Sequence, residues 1–287
     1  MLTALFLLQI SLPAPAWSRA PTPLADAALE ESSALVPSPT QRGVLWTLND
    51  SGNPAELLAT NTAGRALGRV RVRGASNVDW EALATGPCPH RRHAGQSLRC
   101  LYIGDIGDNN RLRRHIVVYR VPEPRLGRDT IVTVFDSLRI VYPDSARDAE
   151  SMVVDARGDL WIVSKELVRQ PRLYRVPATA WGRRTKATAR YEATVPIPSG
   201  SGIEQWTTDA SWISGGTALA IRTYGALWLV PFLRGRPDVA RTRPLCRLDG
   251  LGAQGEGLAW LEGDLYALTS EKLFRTAASI ALVRCPA

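Results

Sequence analysis

The segment Glu150-Ser-Met-Val153, Asp155-Ala-Arg-Gly158-Asp159, Leu160-Trp-Ile-Val-Ser164 and Leu173-Tyr-Arg-Val176 decides the fold. An acid opens a short apolar run. A Gly-containing turn reverses the chain, an aromatic-bearing β run follows, and a second β run ends before Pro177. This grammar recurs. The acid-led run returns as Glu31-Ser-Ser-Ala-Leu35, Glu81-Ala-Leu-Ala84, Asp209-Ala-Ser-Trp212 and Glu256-Gly-Leu-Ala259. The second run returns as Leu45-Trp-Thr-Leu-Asn49, Leu101-Tyr-Ile-Gly-Asp105, Leu219-Ala-Ile-Arg-Thr223 and Leu265-Tyr-Ala-Leu-Thr269. The third returns as Leu57-Leu-Ala-Thr60, Val118-Tyr-Arg-Val121, Leu227-Trp-Leu-Val230 and Leu273-Phe-Arg-Thr276. A fourth alternation closes the units, as in Leu67 to Val72, Ile131 to Val141 and Ile280 to Val283.

Five copies, their acids 47 to 69 residues apart, have the length of propeller blades. A twisted four-stranded sheet has two apolar faces and covers neither alone. Radial stacking buries both and protects the edges. The sequence therefore predicts an all-β chain, a β-propeller of five four-stranded blades. A sixth, degenerate blade in the longer 81–150 interval is the alternative. Helical periodicity is nearly absent.

Leu2 to Leu12 form a short apolar stretch followed by Ala14-Pro15-Ala16, a signal-peptide pattern too short to span a bilayer. Residues 1–16 are expected as a signal peptide, 17–28 as an N-terminal extension and 29–287 as the propeller domain. No later segment is long and apolar enough to be expected to cross a membrane, and the protein is expected to be a secreted or periplasmic monomer. Four cysteines in an exported chain favour disulfides. Cys88 and Cys100 would pin one hairpin. Cys246 and Cys285 remain as a second pair by elimination, or as free thiols.

The net charge of +8 rests on 35 basic residues, only three of them lysine. They are scattered without an aromatic-interleaved strip, which argues against nucleic-acid binding. The three histidines lie between His90 and His115, and no Gly-x-Ser-x-Gly occurs. A Ser-His-Asp hydrolase is therefore not expected.

The first strand of each blade lines a propeller's central channel. Register alone brings Glu31, Glu81, Glu150, Asp209 and Glu256 to one mouth. At an effective dielectric of about 20, each like-charge pair ~8 Å apart costs roughly 2 kcal/mol. Protons, internal cations such as Lys165 and Arg222, or a bound cation must offset this. An all-oxygen ring suits calcium better than zinc. The opposing view has these acids capping strands through backbone amides. Two polar loops, Asn49-Asp50-Ser-Gly-Asn53 and Gly104-Asp105-Ile-Gly107-Asp108-Asn109-Asn110, follow equivalent strands, and the second lacks EF-hand spacing. Asp50, Asp105, Asp108, Asn109 and Glu271 join Trp80, Lys165 and Arg222 as candidate ligand-binding residues.

The blade grammar resembles NHL-like and gluconolactonase-like propellers. Leu45-Trp-Thr-Leu-Asn-Asp-Ser-Gly52, Asn77-Val-Asp-Trp-Glu81, Tyr102-Ile-Gly-Asp-Ile-Gly-Asp-Asn109 and Val118-Tyr-Arg-Val-Pro-Glu-Pro124 are similar to a group of exported bacterial propellers of uncertain function. The gluconolactonase-like resemblance implies a channel cation held by carboxylate and Asn ligands, with Glu81, Glu150, Asp209 and Glu256 corresponding. The chain departs from that pattern in showing no clear channel Asn. Two functions follow as expectations. One is a binding propeller that takes a small molecule, carbohydrate or envelope protein at an acidic, calcium-occupied mouth. The other is a metal-dependent hydrolase of a lactone, ester or phosphoester.

Overall fold

The computed structural model describes residues 14–93, 96–182, 186–200, 202–248 and 254–286. The apolar leader, residues 1–13, lies outside them. Five sheets form, and in each the first strand pairs antiparallel with the second, the second with the third and the third with a fourth. The innermost strands are Ser32–Pro37, Trp80–His93, Ala149–Val154, Thr207–Ile213 and Gly255–Glu262. Each touches the innermost strand of the next blade, and the fifth touches the first, so the ring is closed. Its element order is that of a five-bladed β-propeller, with only short 3-10 turns among the described residues.

The apolar faces account for the closure. Five separate cores appear, one between each adjacent pair of blades. Trp46 and Leu101 lie between blades 1 and 2, Tyr102 and Tyr174 between 2 and 3, and Trp161 and Trp228 between 3 and 4. Leu227 and Tyr266 lie between blades 4 and 5, and Leu35 and Ile280 between 5 and 1. The aromatic repeat positions are thus core, burying large area where two sheets meet.

Several joints carry additional fastenings. Ile131–Thr133, from the third-to-fourth strand connection of blade 2, pairs in parallel with Gly68–Arg73 of blade 1. Lys186–Thr188 of blade 3 does the same to Asp136–Val141 of blade 2. Both disulfides form. Cys88–Cys100 clips the first two strands of blade 2 together, and Cys246–Cys285 joins blade 4 to blade 5.

Three details differ from the sequence reading. Leu273 to Thr276, expected as a strand, is a tight turn with Phe274 at φ 51° and 92% exposed. The third strand of blade 5 is Ser279–Arg284 instead. Its fourth strand is Ala16–Pro23, so most of the stretch expected as an extension is part of the propeller. One strand from the N-terminus thereby closes the last sheet. Ala16, the last residue of the expected signal peptide, is the first residue of that strand. Among the described residues, the long 81–150 interval holds no sixth blade. The extended hairpin 80–105 and the stitching strand 131–133 occupy it.

The Cys246–Cys285 bridge spans 39 residues and Cys88–Cys100 spans 12. On the chain-entropy model these loops are worth about 4 and about 3 kcal/mol. Replacing Cys246 and Cys285 together by Ala should lower unfolding stability more than the same change at Cys88 and Cys100, measured by denaturant unfolding. A reversed order would mean that strain or residual unfolded structure, rather than loop closure, governs these bridges.

Candidate functional site

A single irregularity repeats in all five innermost strands. Register slips by one residue between Ser32 and Ala34, Trp80 and Ala82, Ala149 and Ser151, Thr207 and Asp209, and Gly255 and Leu258. A β-bulge of this kind re-aims one side chain per strand. The equivalent residues are therefore Ser33, Glu81, Glu150, Thr208 and Glu256. Three of the five predicted acids hold that position, and two do not.

Glu31 sits ahead of the bulge, half-buried, and accepts a hydrogen bond from Asn53 Nδ2 at 2.5 Å. Asp209 lies one residue past the bulge and deeper. Its carboxylate accepts the amides of Ala210 at 2.7 Å and Leu258 at 2.6 Å, and that of Leu35, across the axis in blade 1, at 3.4 Å. This is the strand-capping role. Burial pushes its pKa well up against the pull of these amides. Arg222 is fully buried beside it and donates to the carbonyls of Gly257 at 2.6 Å and Thr269 at 2.7 Å. Burial lowers its pKa to about 10. Gly255 makes this fit possible, because a Cβ there would collide with the Arg222 guanidinium. Arg222 and Asp209 thus tie blades together below the mouth.

At the mouth, Glu81, Glu150 and Glu256 are all at least 94% buried. Glu256 Oε1 accepts the Tyr224 hydroxyl at 2.6 Å. Glu150 Oε1 pairs with the Lys165 ammonium, while its Oε2 is buried without a partner. Glu81 accepts no hydrogen bond from any described residue. Burial raises all three, and mutual repulsion adds to it: Glu150, Asp50 and Glu256 act on Glu81, and Glu256 acts on Glu150. Burial pulls Lys165 down, but Glu150, Glu256 and Asp148 outweigh it and hold the ammonium above its ordinary value. Lys165 Nζ also lies 5.7 Å from the Trp206 ring centroid and 6.0 Å from that of Tyr224.

Four of the five positions directly after the second strand ring this mouth: Asp50, Lys165, Tyr224 and Glu271. Burial, then Glu256, Asp50 and Glu31, push Glu271 up to about 8. Asp79, which the sequence reading missed, is pushed up to about 7 by burial, then by Asp50 and Asp148. One oxygen each from Asp50, Asp79 and Glu81 lie within 4.8 Å of one another. The signal for Asp79 was present as a repeat. An acid stands two residues ahead of the channel glutamate in Asp79-Trp80-Glu81 and in Asp148-Ala149-Glu150.

The remaining candidates separate from the mouth. Trp80 is fully buried in the core between blades 1 and 2, with Nε1 donating to Ser76 O at 2.9 Å, so it offers no face to a ligand. Asp105 pairs with Arg113 at 2.7 Å and accepts the Asp79 amide at 3.1 Å. Asp108 accepts the amides of Leu112 and Arg113, and Asn109 is exposed. The contribution of this loop to the acidic cluster is Gly107. A Cβ there would stand 2.5 Å from Asp79 Oδ2 and 2.9 Å from Glu81 Cγ.

No protein-family model and no curated protein matches the chain. Some solved structures are similar to it. Among them are the PQQ-bound aldose sugar dehydrogenase of Streptomyces coelicolor (13% identity, 94% of this chain and 99% of that one, TM-score 0.46). The gluconolactonase XC5397 of Xanthomonas campestris is similar at 13% identity over 96% of this chain and 88% of that one, TM-score 0.49. A protein of unknown function from Bacteroides caccae is similar at 7% identity, covering 85% and 72%, TM-score 0.44.

The raised acids give the metal-free protein a defined pH response. The unfolded chain ionises its carboxyls near 4, whereas the folded chain keeps protons on Asp79 to about 7 and on Glu271 to about 8. Between those limits the folded state binds more protons at these groups, so their contribution to stability falls as pH rises. The melting midpoint of chelator-treated protein should drop from pH 5.5 to pH 8, and Glu81→Gln should flatten the drop. A flat wild-type profile would show that these carboxyls ionise freely.

Proposed function

We propose that the protein is an exported binding propeller whose acidic channel mouth holds a calcium-type cation and, over it, an oxygen-rich small molecule or carbohydrate. One observation carries this reading. Glu150 Oε2 is buried without a hydrogen-bond partner, and Glu81, 6% exposed, accepts no hydrogen bond from any described residue at a mouth where Asp50 and Asp79 converge on it. A buried charge is paired, neutralised or bound to a metal. Lys165 offsets one of the mouth's negative charges and leaves the rest. The donor set is all carboxylate, which fits a hard cation and fits zinc poorly. Asp50, Asp79 and Glu81 would hold the ion. When bound, it supplies a Lewis-acidic centre for carbonyl, hydroxyl or phosphoryl oxygens. Lys165, Tyr224 and Trp206 border the same mouth and offer a charge, a hydroxyl and a ring face for orienting a ligand. The two disulfides accord with an oxidising compartment, as export requires.

The decisive measurement is thermal unfolding of metal-stripped protein against calcium concentration. Saturable stabilisation is expected, reaching about 2.7 kcal/mol at a hundredfold excess over Kd, and Glu81→Gln should abolish it. No shift at millimolar calcium would overturn the reading.

A hydrolytic function is the second reading, favoured by the free Glu150 oxygen, which the three cation ligands do not use. In this reading that oxygen would take a proton from a water admitted at the mouth. In that case Glu150→Gln should retain the calcium shift and lose turnover of lactone, ester or phosphoester substrates. Equal turnover in both proteins would remove Glu150 from any mechanism.

A further inference from the structure

The loop between the second and third strands of blade 2 carries an Asp-Asn-Asn sequence that reads as a cation site, yet its acids serve arginines. Asp105 pairs with Arg113, and both oxygens of Asp108 are taken by the amides of Leu112 and Arg113. Beside it opens a cleft of about 220 Å³ lined by Asp108, Arg113, Arg114, His115, Tyr142 and Arg147, among others. It lies at the same end of the propeller as the acidic mouth, since it is built from the strand connections that emerge there.

Two polar groups in this cleft lack partners. The Arg147 side chain is 8% exposed, its terminal nitrogens held by Asp144 at 3.2 Å and Glu166 at 3.4 Å, and its Nε is buried and unbonded. The Tyr142 hydroxyl is likewise buried and unbonded, with its ring fixed edge-on to Tyr174 at 4.8 Å. A buried orphan of this kind costs about 1–3 kcal/mol, so it points to a missing partner. Arg114 and His115 complete the lining and make no hydrogen bond or ion pair with any described residue. The field is positive at the His115 end of the cleft, while Asp108 and Asp148 act on Tyr142 and Asp144 and Glu166 hold Arg147. Burial, then Arg139, Arg113 and Lys186, hold the His115 imidazole below its ordinary pKa.

We propose that this cleft binds a small tetrahedral oxyanion, a phosphate or sulfate group, through Arg114, His115, Tyr142 and the Nε of Arg147. Donor geometry selects the class. A planar carboxylate is best met by one guanidinium fork. Here the terminal nitrogens of Arg147 are committed to acids, and Arg113 is committed to Asp105 and the Gly107 carbonyl at 2.8 Å. What remains is the uncommitted guanidinium of Arg114, at the rim, and single donors on three further side chains, His115, Tyr142 and Arg147 Nε, a divergent set that suits oxygens spreading from one centre better than one planar carboxylate. The site is independent of the cation proposed at the channel, because none of its donors belongs to that cluster.

The test uses the whole mature protein in chelator-containing buffer, titrated with inorganic phosphate, sodium sulfate and sodium acetate at constant ionic strength. Melting midpoint and calorimetric affinity are the readouts. Phosphate or sulfate should raise the midpoint saturably, and acetate should not. Arg114→Gln and Tyr142→Phe should each weaken phosphate binding roughly ten- to a hundredfold, the loss of one hydrogen bond to a charged group. Neither variant removes a contact within the protein, so both should fold. Equal response to phosphate and sulfate, or preference for either, supports the site. Tighter acetate binding, no saturable shift, or unchanged affinity in both variants would overturn it. So would phosphate binding that Glu81→Gln abolishes while both cleft variants retain it, since the anion would then sit at the channel mouth.

Discussion

Closing five sheets into a ring brings the starts of five strands to one axis, where five side chains must share a space with little solvent. The bulge in each innermost strand sets which side chains these are, and the repeat makes their heights equivalent. Below them the axis is not open. Asp209 reaches from blade 4 to the backbone of blade 1, and Arg222 fills the space beside blade 5. Further along, the opposite mouth is a largely apolar cleft of about 270 Å³ with Leu35, Ala84, Val154, Trp212 and Trp260 in its wall. The glutamates therefore have low-dielectric protein beneath them and solvent on one side only. Their repulsion is strengthened accordingly.

The ring is chemically lopsided. In blades 1 and 4 the bulge carries Ser33 and Thr208, neutral hydroxyls satisfied by carbonyls, with Thr208 Oγ1 donating to Gly255 and Glu256 at 3.1 Å. In blades 2, 3 and 5 it carries glutamate. The protein answers one of these with Lys165 and another with Tyr224, and leaves Glu81 unanswered. Asp50 and Asp79 flank that same glutamate. A fold concerned only with stability would gain by replacing them with neutral residues. The excess negative charge is thus concentrated on the side of the mouth nearest blades 1 and 2.

Most of the architecture was legible because a propeller writes each blade out separately. Acid, turn, aromatic strand and second strand recur locally, so five of five innermost strands could be found without knowing any long-range contact. Two features were hidden by the same logic. The strand that completes blade 5 comes from Ala16–Pro23, and nothing local ties an N-terminal Pro-rich stretch to the C-terminal sheet. Leu273-Phe-Arg-Thr276 matched the repeat pattern and still became a turn, because the true third strand follows it with the continuous apolar run Ile280-Ala-Leu-Val283. At the mouth, a repeat aligned by its acids misplaced Glu31 by two residues and Asp209 by one. A strand with period 2 turns the opposite face on a one-residue slip. That is why Asp209 became an internal cap while Glu81, Glu150 and Glu256 stayed on the channel. Asp79 and Tyr224 escaped notice because they lie just outside the strand patterns, where only the paired spacing Asp-x-Glu or the position after the second strand marks them.

The connections on this one face of the propeller carry opposite chemistries a short chain distance apart. Residues 79–81 and 148–150 present carboxylates to the axis, while residues 111–115 and 147 present arginines to the flank. Asp108 and Asp148 stand between them: the Asp108 amide donates to Asp148 Oδ1 at 2.9 Å, and Asp108 itself orients the arginine loop. Were the two regions not separated by this hydrogen-bonded wall, the arginines would fold onto the glutamates and neutralise them. Arg113 is the nearest case, and it is intercepted by Asp105, whose buried carboxylate holds it at 2.7 Å. The polar loop read from sequence as a binding element therefore acts chiefly as an insulator. It holds the protein's own cations to one side of the acidic mouth.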